Sequence, residues 1–579
     1  MVSFFIILLV VFVLQQQPEE FAKPPDEANL MRIRIETTNP QELMAELGEK
    51  GFDILYGSKT DSTFEMIVTE KELMMIKLSG LKVIWKEYGR PLREIFKPAD
   101  QHLGVSALPA GYHGYEGIID QMKSIASAFP DIAQVVDITT DFNSPATFNG
   151  QHIYGMKISD NVDKGEDEQS VLIVATTHAR EIGTLVLALY AMDQLTTNYG
   201  LDALTTTAVN NNEIWIIPVL NPDGYEHVYN VNNMWRKNRR VFLDGFGVDL
   251  NRNFPLGWDD PCSGSTYVMY GTYKGPEPLS EAESQNIVNF YETIHFAKYI
   301  DLHSYGREVI VSYSNCSTHP WHSWLKTEAE VFSASLGYYS IRRPSASGEI
   351  YHWLLSRGVY AFLVEVGTSF LPPYSSALDE ASQLWPGLLA LIERVTPLKG
   401  HITNVYTGAP IVNAAIEYPG IAFSNGEFFT SGQHGRFHSY LPGGNYALKI
   451  TSDGFFSHEQ TVSVAHGFSN TLDIKLYPTN LINSVSCYQT VNKSLFQIEY
   501  INVLNWEIYP LPQNKVVVGY NIYEIAGGNN LFIQQVRDSV SSYLHRNQNL
   551  REEKVYGITT LYDDGYESPP CIYHLKSTL

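Results

Sequence analysis

Four apolar runs in the middle of the chain, Val171–Ala175, Ile214–Val219, Tyr299–Leu302 and Tyr360–Val366, show almost no alternation between polar and apolar residues. A strand of that kind has both faces buried, which requires helices on either side of its sheet. Amphipathic segments at Gly183–Asn198 and Glu281–Ile294 lie between the runs. Ser280 with Glu283 has the spacing of an N-terminal capping box for the second of them. From about Tyr112 to Pro397 the pattern predicts an α/β domain with a mixed, mostly parallel sheet flanked by helices. The whole chain has 579 residues, too many for that domain alone. It is 44% apolar and 12% aromatic, so a wholly disordered chain is excluded. Its net charge of −23, with no basic block, excludes nucleic acid as a partner, because such binding needs clustered Lys and Arg.

The flanks differ in character. Phe4–Leu14 is an unbroken apolar run, too short to span a bilayer and of the length found in the core of a secretory signal. It carries no preceding Lys or Arg and no small-residue cleavage site, and a buried strand is the alternative. No other stretch is apolar enough to span a membrane, so a secreted, extracellular or periplasmic protein with no integral membrane segment is expected. Between Leu30 and Glu94 the periods alternate as strand, helix, strand, strand, helix, strand, a small α+β domain of ferredoxin-like outline. After Leu398 the helices stop. Short alternating strands with turns at Tyr418-Pro-Gly, Pro442-Gly-Gly and Asp453-Gly predict one β-sandwich, and the last hundred residues a second. Cys487 and Cys571, near the two ends of that second sandwich, are expected to form a disulfide in an oxidising compartment, and Cys262 and Cys316 are a possible second pair. No CxxC spacing occurs, which argues against a thiolate zinc site.

The chemistry lies at the strand ends. Run 171–175 leads into Thr176-Thr177-His178-Ala179-Arg180-Glu181, run 299–302 into His303, and Val359–Val364 delivers Glu365. In an open α/β sheet, ligands bind beyond the carboxyl ends of the strands. Two imidazoles and one carboxylate from two such ends, His178, Glu181 and His303, match a catalytic zinc site that keeps its fourth position for water. Asp249 has the right chemistry to accept a proton from a ligating imidazole. Glu365, set in an apolar strand, is either the general base or a core carboxylate paired with an Arg. Arg252 is suited to grip a carboxylate through its planar fork, and a further Arg to stabilise an oxyanion. Arg236 and Arg240 read as a solvated basic patch.

The ordered motifs HAREIG (178–183), NPDGYE (221–226), MWRKNRR (234–240), GVDLNRNF (247–254), GPEPLSEAE (275–283), DLHSYG (301–306) and FLVEVG (362–367) closely resemble the zinc carboxypeptidases of the carboxypeptidase A/B type. The resemblance implies one zinc ion per catalytic domain on His178, Glu181 and His303. Glu365 would be the base acting through the metal-bound water, and Arg239 the group that polarises the scissile carbonyl. Asn251 and Arg252 would bind the free terminal carboxylate, and Arg180 a subsite further up the peptide. The terminal side chain would meet Ile350 or Tyr351, which favour an apolar or aromatic residue, or Glu349, which favours Lys or Arg. The family's mobile Tyr is missing, with Arg343 or Pro344 in its place.

By position and pattern, residues 28–98 resemble the family's pro-region, following a signal peptide at 1–17. Residues 105–397 form the catalytic domain. Residues 398–478 are similar to a transthyretin-like sandwich and 483–579 to a fibronectin type III domain, both available to bind a surface or partner. The expected activity is a zinc-dependent exopeptidase that cuts the last peptide bond of extracellular peptides or proteins. The alternatives are a zinc amidase acting on peptidoglycan stem peptides, favoured by the missing Tyr, and a non-catalytic surface-binding protein.

Overall fold

A computed structural model describes residues 29–55, 58–96, 111–311, 313, 318–344, 346–511 and 515–576. The expected signal peptide, the junction between the first two domains and Cys316 lie outside the described residues. The chain divides into two compact units, the first comprising the residues up to Thr396 with 421–428 and 439–442.

The first unit opens with β1 (Met31–Glu36), α1 (Pro40–Glu49), β2 (Asp53–Leu55), β3 (Thr63–Val68), α2 (Glu70–Leu78) and β4 (Lys82–Tyr88). They form an antiparallel sheet of order β2-β3-β1-β4, the ferredoxin-like arrangement that the alternating periods predicted. Alternate residues Met31, Ile33 and Ile35 of β1 meet Phe64, Met66 and Val68 of β3 in a core closed by Met44 and Leu47 of α1 and Leu73 and Ile76 of α2. Asn39 and Thr69 cap the two helices, and Thr69 with Glu72 forms a reciprocal capping box.

The second domain of this unit continues with β5 (Ala133–Asp137), β6 (Tyr154–Ile158), β7 (Gln169–Val174), α3 (Ile182–Thr197) and β8 (Asn212–Ile217). Then come α4 (Ala282–Ile294), β9 (Lys298–His303), β10 (Glu308–Ile310), β11 (Ile341–Arg342), α5 (Ile350–Ser356), β12 (Tyr360–Glu365) and α6 (Tyr374–Ile392). The sheet has eight strands in the order β11-β10-β12-β9-β7-β8-β6-β5. Its centre, from β12 to β8, is parallel, and antiparallel pairings flank it. Apolar residues appear at every position because both faces are covered. Val171, Ile173, Ile300 and Phe362 pack towards α3 and α6, whereas Leu172, Val174, Tyr299 and Leu363 pack towards α4 and α5. The helix at 282 starts one residue later than its capping-box motif implies. Glu281 is the cap, without a side-chain bond, because the Ser280 hydroxyl is engaged by Asn253 and Glu281.

Among its described residues the second unit contains strands, turns and one short 3-10 helix at Gln433–Gly435. Two four-stranded sheets, one around Leu398–Asn404 and one around Gly444–Thr451, are followed by a three-stranded and a four-stranded sheet built from residues 482–575. Leu504, Trp506, Tyr520, Ile522 and Tyr556 fill the core of the last pair of sheets. Cys487 and Cys571 are free thiols, contrary to the expected disulfide. Each sits within a strand of a different sheet, half-buried against this core as a small apolar side chain, and burial pushes the Cys487 thiol up to about 11. Cys262 is disulfide-bonded.

The ferredoxin-like domain and the α/β domain share buried contacts. Leu55 and Ile67 pack on Met234, and the backbones of Arg90 and Asn233 bond to one another. The ammonium of Lys237 is buried here, donating to the carbonyls of Val268 (2.5 Å) and Tyr270 (3.0 Å), and burial lowers its pKa to about 7. Burial raises Glu72 from 4.5 to about 7, against the hydrogen bonds from Thr69. The native state therefore holds the Glu72 proton more tightly than the unfolded chain does. Stability is lost as pH rises from about 4.5 to about 7, and the full cost is present above that. Glu72→Gln keeps the acceptor for Thr69 without the charge. It should melt higher than the parent at pH 8, by about 3 kcal/mol in stability, and equally at pH 4. Melting curves at the two pH values check this, and equal midpoints at pH 8 would contradict it.

Candidate metal and substrate site

Beyond β7 the chain reverses at Thr176, whose backbone adopts φ 54°, a region that β-branched residues rarely occupy. The Thr176 hydroxyl donates to the carbonyl of Pro218 and its N–H to the hydroxyl of Thr184, which holds the turn. His178 and Arg180 follow, and Glu181 is the N-cap of α3. His303 ends β9, and the parallel register places it beside Glu365 at the end of β12.

Three side chains converge. His178 Nδ1 lies 2.9 Å from Glu181 Oε1 and 2.9 Å from His303 Nδ1, and His303 Nδ1 lies 3.0 Å from Glu181 Oε2. All three are buried. Two imidazole nitrogens and both oxygens of a carboxylate aimed at one point form a donor set for a metal ion, and the residue types are those zinc takes. The outward-facing ring nitrogens are also engaged. His178 Nε2 is 3.0 Å from Asp249 Oδ1 and His303 Nε2 is 3.1 Å from Asp301 Oδ1, contacts that orient each ring so that Nδ1 faces inward. Asp249 also accepts from the N–H of Asn251 (3.0 Å) and, through Oδ2, from Arg236 Nε and Nη2 at 3.1 and 2.8 Å. Against the push of burial, Arg236 and His178 hold its carboxyl well below the usual range. These residues fit zinc.

Arg236, read from sequence as surface charge, belongs to this set. It is partly buried, with Nη1 3.7 Å from Glu181 Oε1. Arg239, expected at the scissile carbonyl, lies over the rings of Trp235 (4.4 Å) and Phe246 (5.0 Å). The Trp235 indole donates to the carbonyls of Lys237 and Asn238, and the Arg236 carbonyl accepts from the N–H of Ala179, so Arg236 is tied to the ligand loop.

Burial pushes Glu365 up to about 7, with Glu181 adding to the effect and His303 and Arg342 opposing it. Arg342 was given no role from the sequence, although it directly precedes Arg343, which with Pro344 stands where the Tyr is missing. It donates to Glu308 (2.7 Å) and lies 3.7 Å from Glu365 Oε1. Arg343 is exposed and Pro344 buried.

The residues assigned to substrate are all close by or committed to neighbours. Asn251 Nδ2 is 3.3 Å from His303 Nε2, and Asn251 Oδ1 accepts from the N–H of Ile350 (2.9 Å). Arg252 donates to the Asn251 carbonyl (2.6 Å) and to Glu349 Oε1 (3.1 Å). Ile350 and Tyr351 are fully buried in the apolar core, with the Tyr351 hydroxyl donating to the Val311 carbonyl (3.1 Å). Burial pushes the Glu349 carboxyl upward, against the pull of Arg252. Arg180 is taken up by the ferredoxin-like domain: both its Nη atoms bond the Asp53 carboxylate on β2, one at 2.8 Å, and its guanidinium lies 4.4 Å over the Phe370 ring. Sequence gave no signal for Asp53, because a lone Asp in a short strand has no pattern.

The site and fold together describe a metal-dependent hydrolase of the kind built at the carboxyl edge of an α/β sheet. Residues 118–386 match the zinc carboxypeptidase family model. The chain is 30% identical to carboxypeptidase A2 of Mus musculus over 304 residues, which cover 49% of this chain and 70% of that protein. It is 28% identical to carboxypeptidase A1 of Sus scrofa over 309 residues, with the same coverage of 49% and 70%. Its fold is similar to a crystal structure of carboxypeptidase A from Helicoverpa armigera, with a TM-score of 0.53 at 20% identity, covering 64% of this chain and 98% of that one. Thrombin activatable fibrinolysis inhibitor gives 0.51 at 20% identity, covering 63% and 98%. The chain belongs to the zinc carboxypeptidase family and is a peptide hydrolase of the metallocarboxypeptidase type.

Proposed function

We propose that the protein is an exported zinc exopeptidase that removes single residues from the C-terminus of extracellular peptides or proteins. The convergence of His178, Glu181 and His303 at the end of the strand paired with Glu365 carries the reading. Zinc held by His178, Glu181 and His303 would supply Lewis acidity toward a water and the scissile carbonyl. Glu365, whose carboxyl burial pushes upward, is matched to taking a proton from the attacking water on a carboxylate oxygen. As the carbon–oxygen bond forms and the carbon–nitrogen bond breaks, the same oxygen gives that proton to the leaving amine. Arg236 takes the role that sequence assigned to Arg239: its guanidinium is held by Asp249 at the edge of the ligand set, suited to the developing oxyanion. Arg252 and Asn251 take the terminal carboxylate, and Arg180 lines the next subsite. That division of labour favours an ordinary peptide C-terminus over a cell-wall amide.

The ferredoxin-like domain is read as a pro-region. By binding Arg180, Asp53 puts a carboxylate of the chain itself on a residue meant for substrate, and the full chain is then latent until the domain is removed. Export rests on the apolar run at 4–14, and no described helix is long and apolar enough to cross a membrane. The two sandwich regions, transthyretin-like and fibronectin type III-like, are assigned to holding the enzyme on a surface or partner.

Peptides with free and amidated C-termini, read by mass, test the activity. Loss of one residue at a time from the free peptide alone is expected, and Glu365→Gln should keep its zinc while losing at least ~100-fold in turnover. Equal cleavage of the amidated peptide would refute the exopeptidase reading. The latency has its own test. Asp53→Asn should raise the turnover of the uncleaved chain by up to ~100-fold, because losing one partner of a buried ion pair costs about 3 kcal/mol; unchanged turnover would remove Asp53 from the inhibition.

A further inference from the structure

Across the antiparallel pairing of β10 with β12, Glu308 stands directly opposite Glu365. Like charges at one cross-strand position repel, and here one of the two is the residue read as the general base. Both side chains are largely out of water, at 19% and 18% exposure, so solvent screens them little. Gly306 leaves them their room: a Cβ built there would lie 3.0 Å from Glu365 Cβ and 3.1 Å from Glu308 Oε1. Two carboxylates held this way need a cation.

Arg342 supplies it. β11 runs parallel to β10, with Arg342 beside Ile310, two residues along from Glu308. Each nitrogen of its guanidinium is directed. Nε donates to Glu308 Oε1 (2.7 Å), Nη1 donates to the Arg343 carbonyl (3.2 Å), and Nη2 lies 3.7 Å from Glu365 Oε1. Two hydrogen bonds fix the planar group, so its third corner faces the base before any substrate arrives. Among the described residues, no other cationic side chain comes within ion-pair distance of Glu365, and no side chain hydrogen-bonds it. The terminal torsion of a glutamate is broad, so without Arg342 this carboxylate would turn between several directions. At 3.7 Å the contact is one of charge and not a hydrogen bond, so it orients Glu365 without occupying an oxygen lone pair.

We infer that Arg342 is a positioning residue for Glu365: anchored on Glu308, it draws one oxygen of the base towards itself and leaves the other to take the proton of the attacking water. The inference rests on the carboxypeptidase reading and deepens it. Arg342 acts here through Glu365 and not through the peptide, which separates its role from that of Arg252.

The test uses the zinc-loaded full chain, nicked by limited proteolysis with the protease then inhibited, and one peptide with a free C-terminus. Arg342→Gln should lower kcat at least ~10-fold and leave KM within about twofold. Arg342→Lys keeps the charge and should lose less than Arg342→Gln. Combined with Glu365→Gln, which removes the charge to be oriented, Arg342→Gln should cost less than about twofold more. Crystals of the full chain give a reading apart from turnover, with one carboxylate orientation of Glu365 in the parent and several in Arg342→Gln. Zinc content and melting midpoint should match the parent in both Arg342 variants; loss of zinc together with turnover would assign Arg342 to the fold instead. An unchanged kcat in Arg342→Gln, a loss confined to KM, or a full further loss on top of Glu365→Gln would overturn the inference while an active parent keeps the carboxypeptidase reading. A parent that releases no residue from the peptide would refute that reading and the inference with it.

Discussion

The parallel pairing of β9 with β12 on one side and β7 on the other fixes where chemistry can occur in this molecule. Its register sets His303 beside Glu365, and the turn that follows β7 brings His178 and Glu181 to the same edge. None of these positions depends on a long flexible loop. The central strands are covered on both faces by helices, so their ends are held by the packing of the whole domain. Donors placed in this way need little rearrangement when a ligand arrives, which is what preorganised catalysis requires.

Burying so many ionisable groups is costly, and the fold offsets the cost by pairing them. Asp249 joins His178 to Arg236, Asp301 holds His303, Asp53 answers Arg180, and Glu349 answers Arg252. Each pair is weak evidence of stability, but removing one member leaves a charge stranded in a poor solvent. The same logic separates structural pairs from functional ones. Asp249 is saturated with hydrogen bonds and acts as a support. Glu349 keeps one carboxylate oxygen without a hydrogen bond beside Arg252, and Asp53 belongs to a different domain from Arg180.

Much of this was legible in the sequence. Non-alternating apolar runs predicted the doubly covered sheet, and the residues directly after them marked the ligand set and Glu365. The ferredoxin-like outline followed from alternating periods alone. What sequence could not give was the direction of side chains leaving irregular segments. In MWRKNRR, Arg236 and Arg239 differ by less than one helical turn, and only the hydrogen bonds of Trp235 and Ala179 decide which one faces the metal ligands. Ile350 and Tyr351, expected to meet the terminal side chain, lie buried in the core beside Glu349. Asp53 contributes by contact between domains, which no local pattern encodes. The paired cysteines misled for a simple reason, since position along the chain says nothing about which sheet a thiol enters.

The account stands on the ligand set, and zinc analysis of the full chain with X-ray absorption at the zinc edge tests it directly. One zinc per chain is predicted, with a first shell of two imidazole nitrogens and carboxylate oxygen, and with that shell lost in His303→Ala. A chain that takes up no zinc, or a His303→Ala protein that keeps the same zinc content and the same shell, would contradict it.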